Sequence, residues 1–107
     1  MSQPGSLERL EATIAARRGA DPESSYVARL NANGLAKIAQ KLGEEATETV
    51  IAALTQDERA LVGEAADLLF HLMVLLGHKG VALAEVLAEL DRREGTSGIA
   101  EKASRPD

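Results

Sequence analysis

The sequence predicts an all-α fold, in which two long antiparallel helices belong to a helical bundle of four to five helices. Ala, Leu, Glu and Arg, which favour helices, are abundant along the chain. Apolar residues recur at helical spacing, and Gly, Asn, Asp or Ser lies between the periodic stretches. A chain of 107 residues has room for one domain, predicted over residues 1–107, and its last part from about residue 95 is predicted to be a C-terminal tail.

Two short helices are predicted near the start of the chain. The first begins near Ser6, a suitable N-cap, and ends at Gly19. The second begins after Ser25, which can cap it, and ends at Asn33-Gly34. Their apolar residues are Leu7, Leu10 and Ile14 in the first helix and Tyr26, Val27 and Leu30 in the second.

A long amphipathic helix is predicted from Leu35 to about Leu54. Thr55-Gln56-Asp57 interrupts the pattern, and Asp57 is a plausible N-cap for the next helix. The connection is short, so we expect the two long helices to pack as antiparallel neighbours. The predicted apolar stripe of the first long helix is Leu35, Ile38, Leu42, Ala46, Val50 and Ala53, opposite Lys37, Lys41, Glu44 and Glu48.

The second long helix, from Asp57 to about Gly77, is apolar nearly all round. Between residues 60 and 77 only Glu64, Asp67 and His71 are neither apolar nor glycine. A helix of this kind is buried, and in so small a domain its burial requires a partner subunit, so we expect a homodimer. A last helix is predicted over Leu83–Arg93, with a stripe of Leu83, Val86, Leu87 and Leu90.

Composition excludes several classes of function. The absence of cysteine removes disulfides, thiolate nucleophiles and cysteine-based metal sites. A net charge of −5 repels nucleic acid, and two aromatic residues cannot form a base-stacking platform, so we expect no nucleic-acid partner. The zincin, Walker and Rossmann motifs are absent, as is the Glu-x-x-His pair of helical di-iron proteins.

The ends and the apolar runs of the sequence suggest a cytoplasmic location. The first ten residues have neither the basic start nor the apolar run of a secretory signal. The longest strongly apolar stretch, Leu68–Gly77, contains His71 and is shorter than the roughly 20 residues of a membrane span. We therefore expect no membrane association.

Two acidic motifs carry the predicted chemistry. Glu44-Glu45-x-x-Glu48 lies on the first long helix and Glu64-x-x-Asp67 on the second. Residues three or four apart share a helix face, so antiparallel packing can bring the two motifs together. Converging carboxylates repel, and their oxygen ligands suit Mg²⁺ or Mn²⁺. The sequence therefore predicts metal-assisted attack of water on a phosphoanhydride.

Each of these residues also has an ordinary structural interpretation. The acids of the first motif can form a solvated face with Lys41 paired to Glu44 or Glu45. Glu64 and Asp67 can form a structural salt bridge, and His71 can be a core histidine that orients Asp67. The alternatives for the remaining candidates are surface solvation for Lys37, an ion pair for Lys41, a helix cap for Ser25 and a core position for Tyr26.

The two acidic motifs resemble the paired motif of the all-α nucleoside triphosphate pyrophosphohydrolase superfamily, which includes MazG-type enzymes and dimeric dUTPases. The surrounding sequence is similar to one branch, the phosphoribosyl-ATP pyrophosphatases, from about Leu7 to Arg105. Two departures are Phe70, where tyrosine is expected, and Thr47, where a small apolar residue is commoner. The segments that carry the resemblance are KIAQKLGEE (37–45), DLLFH (67–71), Ser25-Tyr26 and GIAEKAS (98–104).

The resemblance implies Mg²⁺-dependent hydrolysis of phosphoribosyl-ATP to phosphoribosyl-AMP and pyrophosphate, the second step of histidine biosynthesis, in a cytoplasmic homodimer. It implies metal binding by Glu45, Glu48, Glu64 and Asp67, with Glu44 as a further ligand or a base. It also implies contacts with the nucleotide from Lys37, Gln40 and Lys41, with Ser25 and Tyr26 as further candidates.

Two other hypotheses are compatible with the acidic motifs. One is a housecleaning pyrophosphatase that removes free nucleotides such as dUTP. The other is a non-catalytic helical dimer, in which the acids form structural ion pairs. A substrate panel tests the first, and the effect of Glu64→Gln or Asp67→Asn on the stability of the fold tests the second.

Overall fold

The computed structural model describes residues 3–106, and over this range it contains α-helices and no strand. The all-α prediction is therefore confirmed. The structure has one helix more than the largest predicted number, because part of the predicted tail is helical. The helices are α1 (Ser6–Arg17), α2 (Tyr26–Asn33), α3 (Leu35–Thr55), α4 (Glu58–Lys79), α5 (Leu83–Arg93) and α6 (Gly98–Ser104).

Side chains cap two of the three helices for which a capping side chain was predicted. The Ser25 hydroxyl accepts a hydrogen bond from the Ala28 N–H at 3.2 Å, at the start of α2. The Asp57 carboxylate accepts one from the Ala60 N–H at 2.9 Å, at the start of α4. Gly80 ends α4 with a φ of +73°, a left-handed conformation that favours glycine.

The start of α1 differs from the prediction by one residue. Ser6 is the first helical residue rather than the N-cap, and Gly5 takes the capping position. The Glu8 carboxylate accepts a hydrogen bond from the Gly5 N–H at 2.7 Å. An acid at the third helical position thus closes the first turn, as in a capping box, without a hydroxyl at the N-cap.

Helices α3 and α4 form an antiparallel hairpin, as predicted, and pack together along most of their length. Helices α1 and α2 pack against one end of this hairpin. At Gly77, a methyl group would lie 3.0 Å from the Arg18 guanidinium and 3.4 Å from Ile14, so glycine allows α1 to approach α4 closely. The buried apolar cluster consists of Ile14, Val27, Leu30, Ile38, Met73, Val74 and Leu83.

The predicted apolar stripe of α3 is correct only in its middle part. Ile38 is fully buried and Leu42 and Ala46 are half-buried, but Leu35 is 39% exposed, Val50 is 57% exposed and Ala53 is exposed. The stripe that faces α4 in the second half of the helix contains Glu45, Thr49 and Ala52. The prediction treated every apolar residue as part of one buried face. The structure divides them between the face that packs on α4 and a face without a partner among the residues that the structure describes.

Helix α4 was predicted to be buried on nearly all sides, and within one chain it is not. Its buried residues are His71, Met73 and Val74, whereas Val62 is 68% exposed and Leu69 45% exposed. The neighbouring helices of a single chain cover one side of α4. The prediction that a partner subunit covers the rest stays a prediction.

By length and composition α4 could cross a membrane, since it has 22 residues and its most apolar window has a mean hydropathy of 1.7. The sequence argument counted only the strongly apolar stretch Leu68–Gly77 and so underestimated the length of the apolar part of this helix. A core helix of a soluble protein meets the same two criteria, so they are weak support for a membrane span.

The segment predicted as a tail contains α6. The Ser97 hydroxyl caps this helix by accepting a hydrogen bond from the Ala100 N–H at 3.1 Å. The side chain of Glu101 is buried against α5 by ion pairs with Arg92 at 3.2 Å and Arg93 at 3.7 Å. Arg105 pairs with the same carboxylate at 3.2 Å. Charged contacts of this kind have no hydrophobic periodicity, which is why the pattern did not predict the helix.

Candidate active site

Three carboxylates meet in the groove between α3 and α4. Glu45 and Glu48 lie one turn apart on α3, and Glu64 faces them from α4. One carboxylate oxygen from each lies within 4.8 Å of the other two. Glu45 is buried, Glu64 is half-buried and Glu48 is exposed, so the group, called here the acidic cluster, opens toward solvent on the Glu48 side.

The acidic cluster lacks compensating positive charge. One oxygen of Glu45 and one of Glu64 are buried without a hydrogen-bond partner among residues 3–106. Burial, followed by the neighbouring carboxylates of Glu48 and Asp67, raises the pKa of Glu45. The carboxylate of Glu48, followed by burial and the charges of Glu45 and Asp67, raises the pKa of Glu64. Two acids that are costly to ionise side by side form a site suited to a cation.

Asp67 lies near the acidic cluster without belonging to it. Its side chain is exposed, and its oxygens are outside the group that lies within 4.8 Å. Its negative charge nevertheless contributes to the raised pKa of both Glu45 and Glu64. Within the described part of the chain, Asp67 and the three acids of the cluster form no salt bridge.

Glu44 belongs to a different set of side chains from Glu45. It accepts a hydrogen bond from the Gln40 amide at 2.9 Å and pairs with Lys41 at 3.5 Å. The Gln40 hydrogen bond, followed by the charges of Lys41 and Lys37, lowers the pKa of Glu44. Tyr26, followed by Glu44, raises the pKa of Lys41. This polar and basic face of α3 lies one to two turns before the acidic cluster.

His71 and Tyr26 connect α2 to the wall of the site. The His71 ring is buried, with Nδ1 2.7 Å from the main-chain carbonyl of Asp67 and Nε2 2.9 Å from the Tyr26 hydroxyl. A carbonyl can only accept, so Nδ1 carries the proton and, in the neutral ring, Tyr26 donates to Nε2. The Phe70 ring stacks on Tyr26 with centroids 5.9 Å apart.

The donor set of the acidic cluster fits a hard divalent cation. All its ligand atoms are carboxylate oxygens, which Mg²⁺ and Mn²⁺ prefer to nitrogen or sulfur. Two of these oxygens are already desolvated and unpaired, so a bound cation would replace repulsion by attraction.

Comparison with known proteins identifies the family. The model of the family described as phosphoribosyl-ATP pyrophosphohydrolase matches residues 7–94. The chain belongs to this family. Relatives named phosphoribosyl-ATP pyrophosphatase include that of Novosphingobium aromaticivorans, 78% identical over 92% of both chains. The relative from Erythrobacter litoralis is 73% identical over 94% of this chain and 97% of its own length. The relative from Rhizorhabdus wittichii is 72% identical over 95% of this chain and 96% of its own length.

In this member of the phosphoribosyl-ATP pyrophosphohydrolase family, the structure brings together three of the four residues predicted to bind metal, Glu45, Glu48 and Glu64. Asp67 lies at their margin. Gln40, Lys41 and Glu44 contact one another, and Lys37 is exposed one turn before Lys41. Ser25 is buried and caps α2, and Tyr26 is 43% exposed rather than a core residue.

Two contacts of this pyrophosphohydrolase were not predicted. One is the hydrogen bond between Tyr26 and His71, which joins residues 45 positions apart. The other is made by Thr49, whose hydroxyl bonds to main-chain carbonyls on both long helices. The sequence shows a threonine one turn after Glu45 but not its contact with α4, and the first contact has no local pattern.

Proposed function

We propose that this protein hydrolyses phosphoribosyl-ATP to phosphoribosyl-AMP and pyrophosphate with Mg²⁺, the second step of histidine biosynthesis. The family membership supports the reaction, and the acidic cluster supports the metal. The single observation that carries the metal requirement is the pair of buried, unpartnered oxygens of Glu45 and Glu64 beside Glu48. Mn²⁺ has the same preference for oxygen ligands and is expected to substitute.

Glu45, Glu48 and Glu64 would hold the cation, with Asp67 completing the site from the same face of α4. The bound ion would supply charge neutralisation on the polyphosphate and activation of water. The carboxylates would hold that ion between the helices, in a groove that opens toward solvent at Glu48. The protein's own contribution to the reaction is thus to hold these carboxylates, and through them the cation, in a fixed position.

Glu44 is better suited to positioning than to proton transfer. The resemblance leaves open a role for Glu44 as a base that activates water, but a lowered pKa makes this carboxylate a weaker base. We assign Glu44 to holding Gln40 and Lys41 in place, at 2.9 Å and 3.5 Å. Lys41, together with Lys37, would then face the phosphate oxygens as point charges.

Tyr26 is placed to meet the nucleotide from α2. It is 43% exposed, its ring stacks on Phe70, and it lies close enough to Lys41 to raise the pKa of that lysine. Ser25, which caps α2, would act only through the position it gives to Tyr26. The substrate therefore lies between the start of α2 and the acidic cluster.

We also propose that the functional unit is a cytoplasmic homodimer without a nucleic-acid or membrane partner. A large apolar surface of α3 and α4 is exposed in one chain, which favours a second copy. In a membrane span, Glu64 and Asp67 would lie within the apolar part of the helix at a high cost, which argues against that role for α4.

The decisive experiment measures pyrophosphate release from phosphoribosyl-ATP by the purified protein, with and without Mg²⁺. We expect release only with the metal, a loss of at least about 100-fold in Glu45→Gln, and no loss in Glu58→Gln, an exposed position on α4. Absence of release would overturn the proposal. Faster turnover of dUTP or another free nucleotide would instead favour a housecleaning pyrophosphatase.

A further inference from the structure

Thr49 lies on α3 one turn after Glu45, and its side chain reaches the facing helix. Its hydroxyl oxygen is 2.7 Å from the main-chain carbonyl oxygen of Glu45 and 3.2 Å from that of Glu64. A hydroxyl has one hydrogen to donate, so the two carbonyls share it. The hydroxyl therefore joins the main chains that carry two of the three carboxylates in the acidic cluster.

The separation of α3 and α4 matters at this point. Glu45 and Glu64 carry unpartnered oxygens that repel each other and repel Glu48. Divalent cations bind oxygen ligands within narrow distance limits, near 2.0–2.1 Å for Mg²⁺. A small increase in the distance between the helices would thus weaken the binding of an ion shared by the carboxylates. When no ion is bound, the same increase would relieve the repulsion between them.

We propose that Thr49 is a positioning residue for divalent-cation binding. Its hydroxyl ties the main chain of Glu45 to that of Glu64, so that the acidic cluster is held at binding distance before a cation arrives. Thr49 itself touches neither the ion nor the substrate. The inference rests on the proposed function, because it assigns the acidic cluster to the metal.

Thr49→Val tests this role without damage to either helix. Glu45 and Glu64 lie inside their helices, where the N–H four residues later is the ordinary partner of each carbonyl. Removing the hydroxyl therefore leaves neither carbonyl unpaired. Thr49→Ser keeps the hydroxyl and should behave as the wild type. Thr49→Ala takes the place of the valine variant if that variant does not fold.

Thr55 offers a matched control on the same helix. Its hydroxyl donates to the Ile51 carbonyl at 2.8 Å, the same bond to the residue four positions earlier that Thr49 makes. Thr55 is exposed, and its hydroxyl bond in the structure stays within α3. Thr55→Val thus removes a comparable hydroxyl without removing a link between helices.

The experiment measures the dissociation constant of Mn²⁺ by electron paramagnetic resonance of the free ion, at a temperature where circular dichroism shows every variant folded. We expect Thr49→Val to bind Mn²⁺ about 10-fold more weakly, as groups that orient metal ligands cost about 10–100-fold when removed. Thr49→Ser and Thr55→Val should match the wild type. Saturating Mg²⁺ should restore much of the turnover of Thr49→Val.

Two results would overturn the inference. A Thr49→Val protein with wild-type Mn²⁺ affinity, whatever its melting temperature, would show that the hydroxyl has only a structural role. A Thr49→Ser protein as impaired as Thr49→Val would show that the hydroxyl is not the relevant group. If the wild type releases pyrophosphate, these results affect only the role of Thr49. A wild type that neither binds Mn²⁺ nor releases pyrophosphate would overturn the proposed function as well.

Discussion

At the level of single residues, the acidic cluster is destabilising for the metal-free fold. Glu45 and Glu64 each have a buried oxygen without a partner, and their neighbours are also acids. Uncompensated buried charge is costly, and folded proteins usually pair it with a cation or protonate it. A cluster that repels itself is consistent with a binding site and is a poor structural element. The hypothesis of structural ion pairs gains no support, since the four acids have no salt bridge within residues 3–106.

We expect Glu64→Gln to raise the melting temperature of the metal-free protein at neutral pH, because the amide removes repulsion from Glu48 and Glu45. The pKa of Glu64 is higher in the folded state than its ordinary value of 4.5, so the wild type loses stability as the pH rises through that raised pKa. The advantage of the variant should therefore shrink as the pH is lowered toward 4.5. Thermal melts in a chelator over a pH series measure both effects.

Glu58→Gln is the matched control for this prediction. Glu58 is an exposed acid in the first turn of the same helix, where a negative charge is mildly favourable. Its replacement should leave the melting temperature unchanged or slightly lower. A lower melting temperature for Glu64→Gln would favour the non-catalytic dimer over the metal site.

Mg²⁺ should raise the melting temperature of the wild type. This increase should be lost in the Glu64→Gln variant. A ligand that binds only the folded state adds about 2.7 kcal/mol of stability at a concentration about 100 times its dissociation constant. The measurement is the melting temperature with and without Mg²⁺ at constant ionic strength, with NaCl as the control for screening. Equal shifts in the two proteins would show that Mg²⁺ acts elsewhere.

Tyr26→Phe should destabilise the protein by about 1 kcal/mol, because it leaves the buried Nε2 of His71 without its donor. Chemical denaturation measures the change in the free energy of unfolding. Nitrogen NMR of the wild-type imidazole should show the proton on Nδ1, which bonds to the Asp67 carbonyl. A proton on Nε2 would contradict the assigned direction of the Tyr26 hydrogen bond.

At the level of helices, α6 depends on charge rather than on apolar contact. Its Ile99 is 86% exposed, whereas Glu101 is buried among Arg92, Arg93 and Arg105. Arg105, followed by Arg92 and Arg93, lowers the pKa of Glu101. A lowered carboxyl pKa contributes stability above the unfolded-state pKa, and the contribution is lost as the pH falls through the folded-state value. Acid and high salt should both loosen α6.

Glu101→Gln should release α6 while α3 and α4 keep their structure. Hydrogen exchange followed by mass spectrometry would show faster exchange in residues 98–104 and unchanged exchange in the α3–α4 hairpin. Glu94→Gln, an exposed acid just after α5, is the control and should leave exchange as in the wild type. Unchanged protection of α6 in Glu101→Gln would mean that contacts other than the ion pairs hold it.

At the level of the whole molecule, one chain is more open than a compact domain of the same length. Its radius of gyration is 16.0 Å, compared with about 13 Å for a compact chain of this length. Near the turn of the α3–α4 hairpin, Leu54 is 78% exposed, and Val50, Ile51 and Val62 are also exposed. Apolar surface of this kind is typical of an interface between subunits.

Leu54→Lys should therefore shift the protein from dimer to monomer, since it places a charge where about 1.5–3 kcal/mol of burial per leucine is expected. Light scattering with size-exclusion chromatography, over a concentration series, gives the mass. Thr13→Lys, at an exposed position on α1, is the control and should leave the mass unchanged. A wild type that is monomeric at all concentrations would contradict the predicted dimer.

The sequence alone determined the helical class, the position of the long hairpin and the acidic motifs that supply the candidate site. Periodicity and capping residues are local properties, so Ser25, Asp57 and the bounds of α5 could be predicted from neighbours in the chain. The acidic motifs were visible for the same reason. Their convergence followed from one further step, the short connection between two helices.

Tertiary structure decided how each face of a helix is used. On α3, only the packing against α4 determines that Val50 is exposed and that Glu45 is buried. The same packing decides that Asp67 lies outside the acidic cluster. It also brings the Thr49 hydroxyl to the Glu64 carbonyl. The physical reason is that burial and charge interactions depend on distances between residues far apart in the chain, and these are set by packing rather than by local pattern.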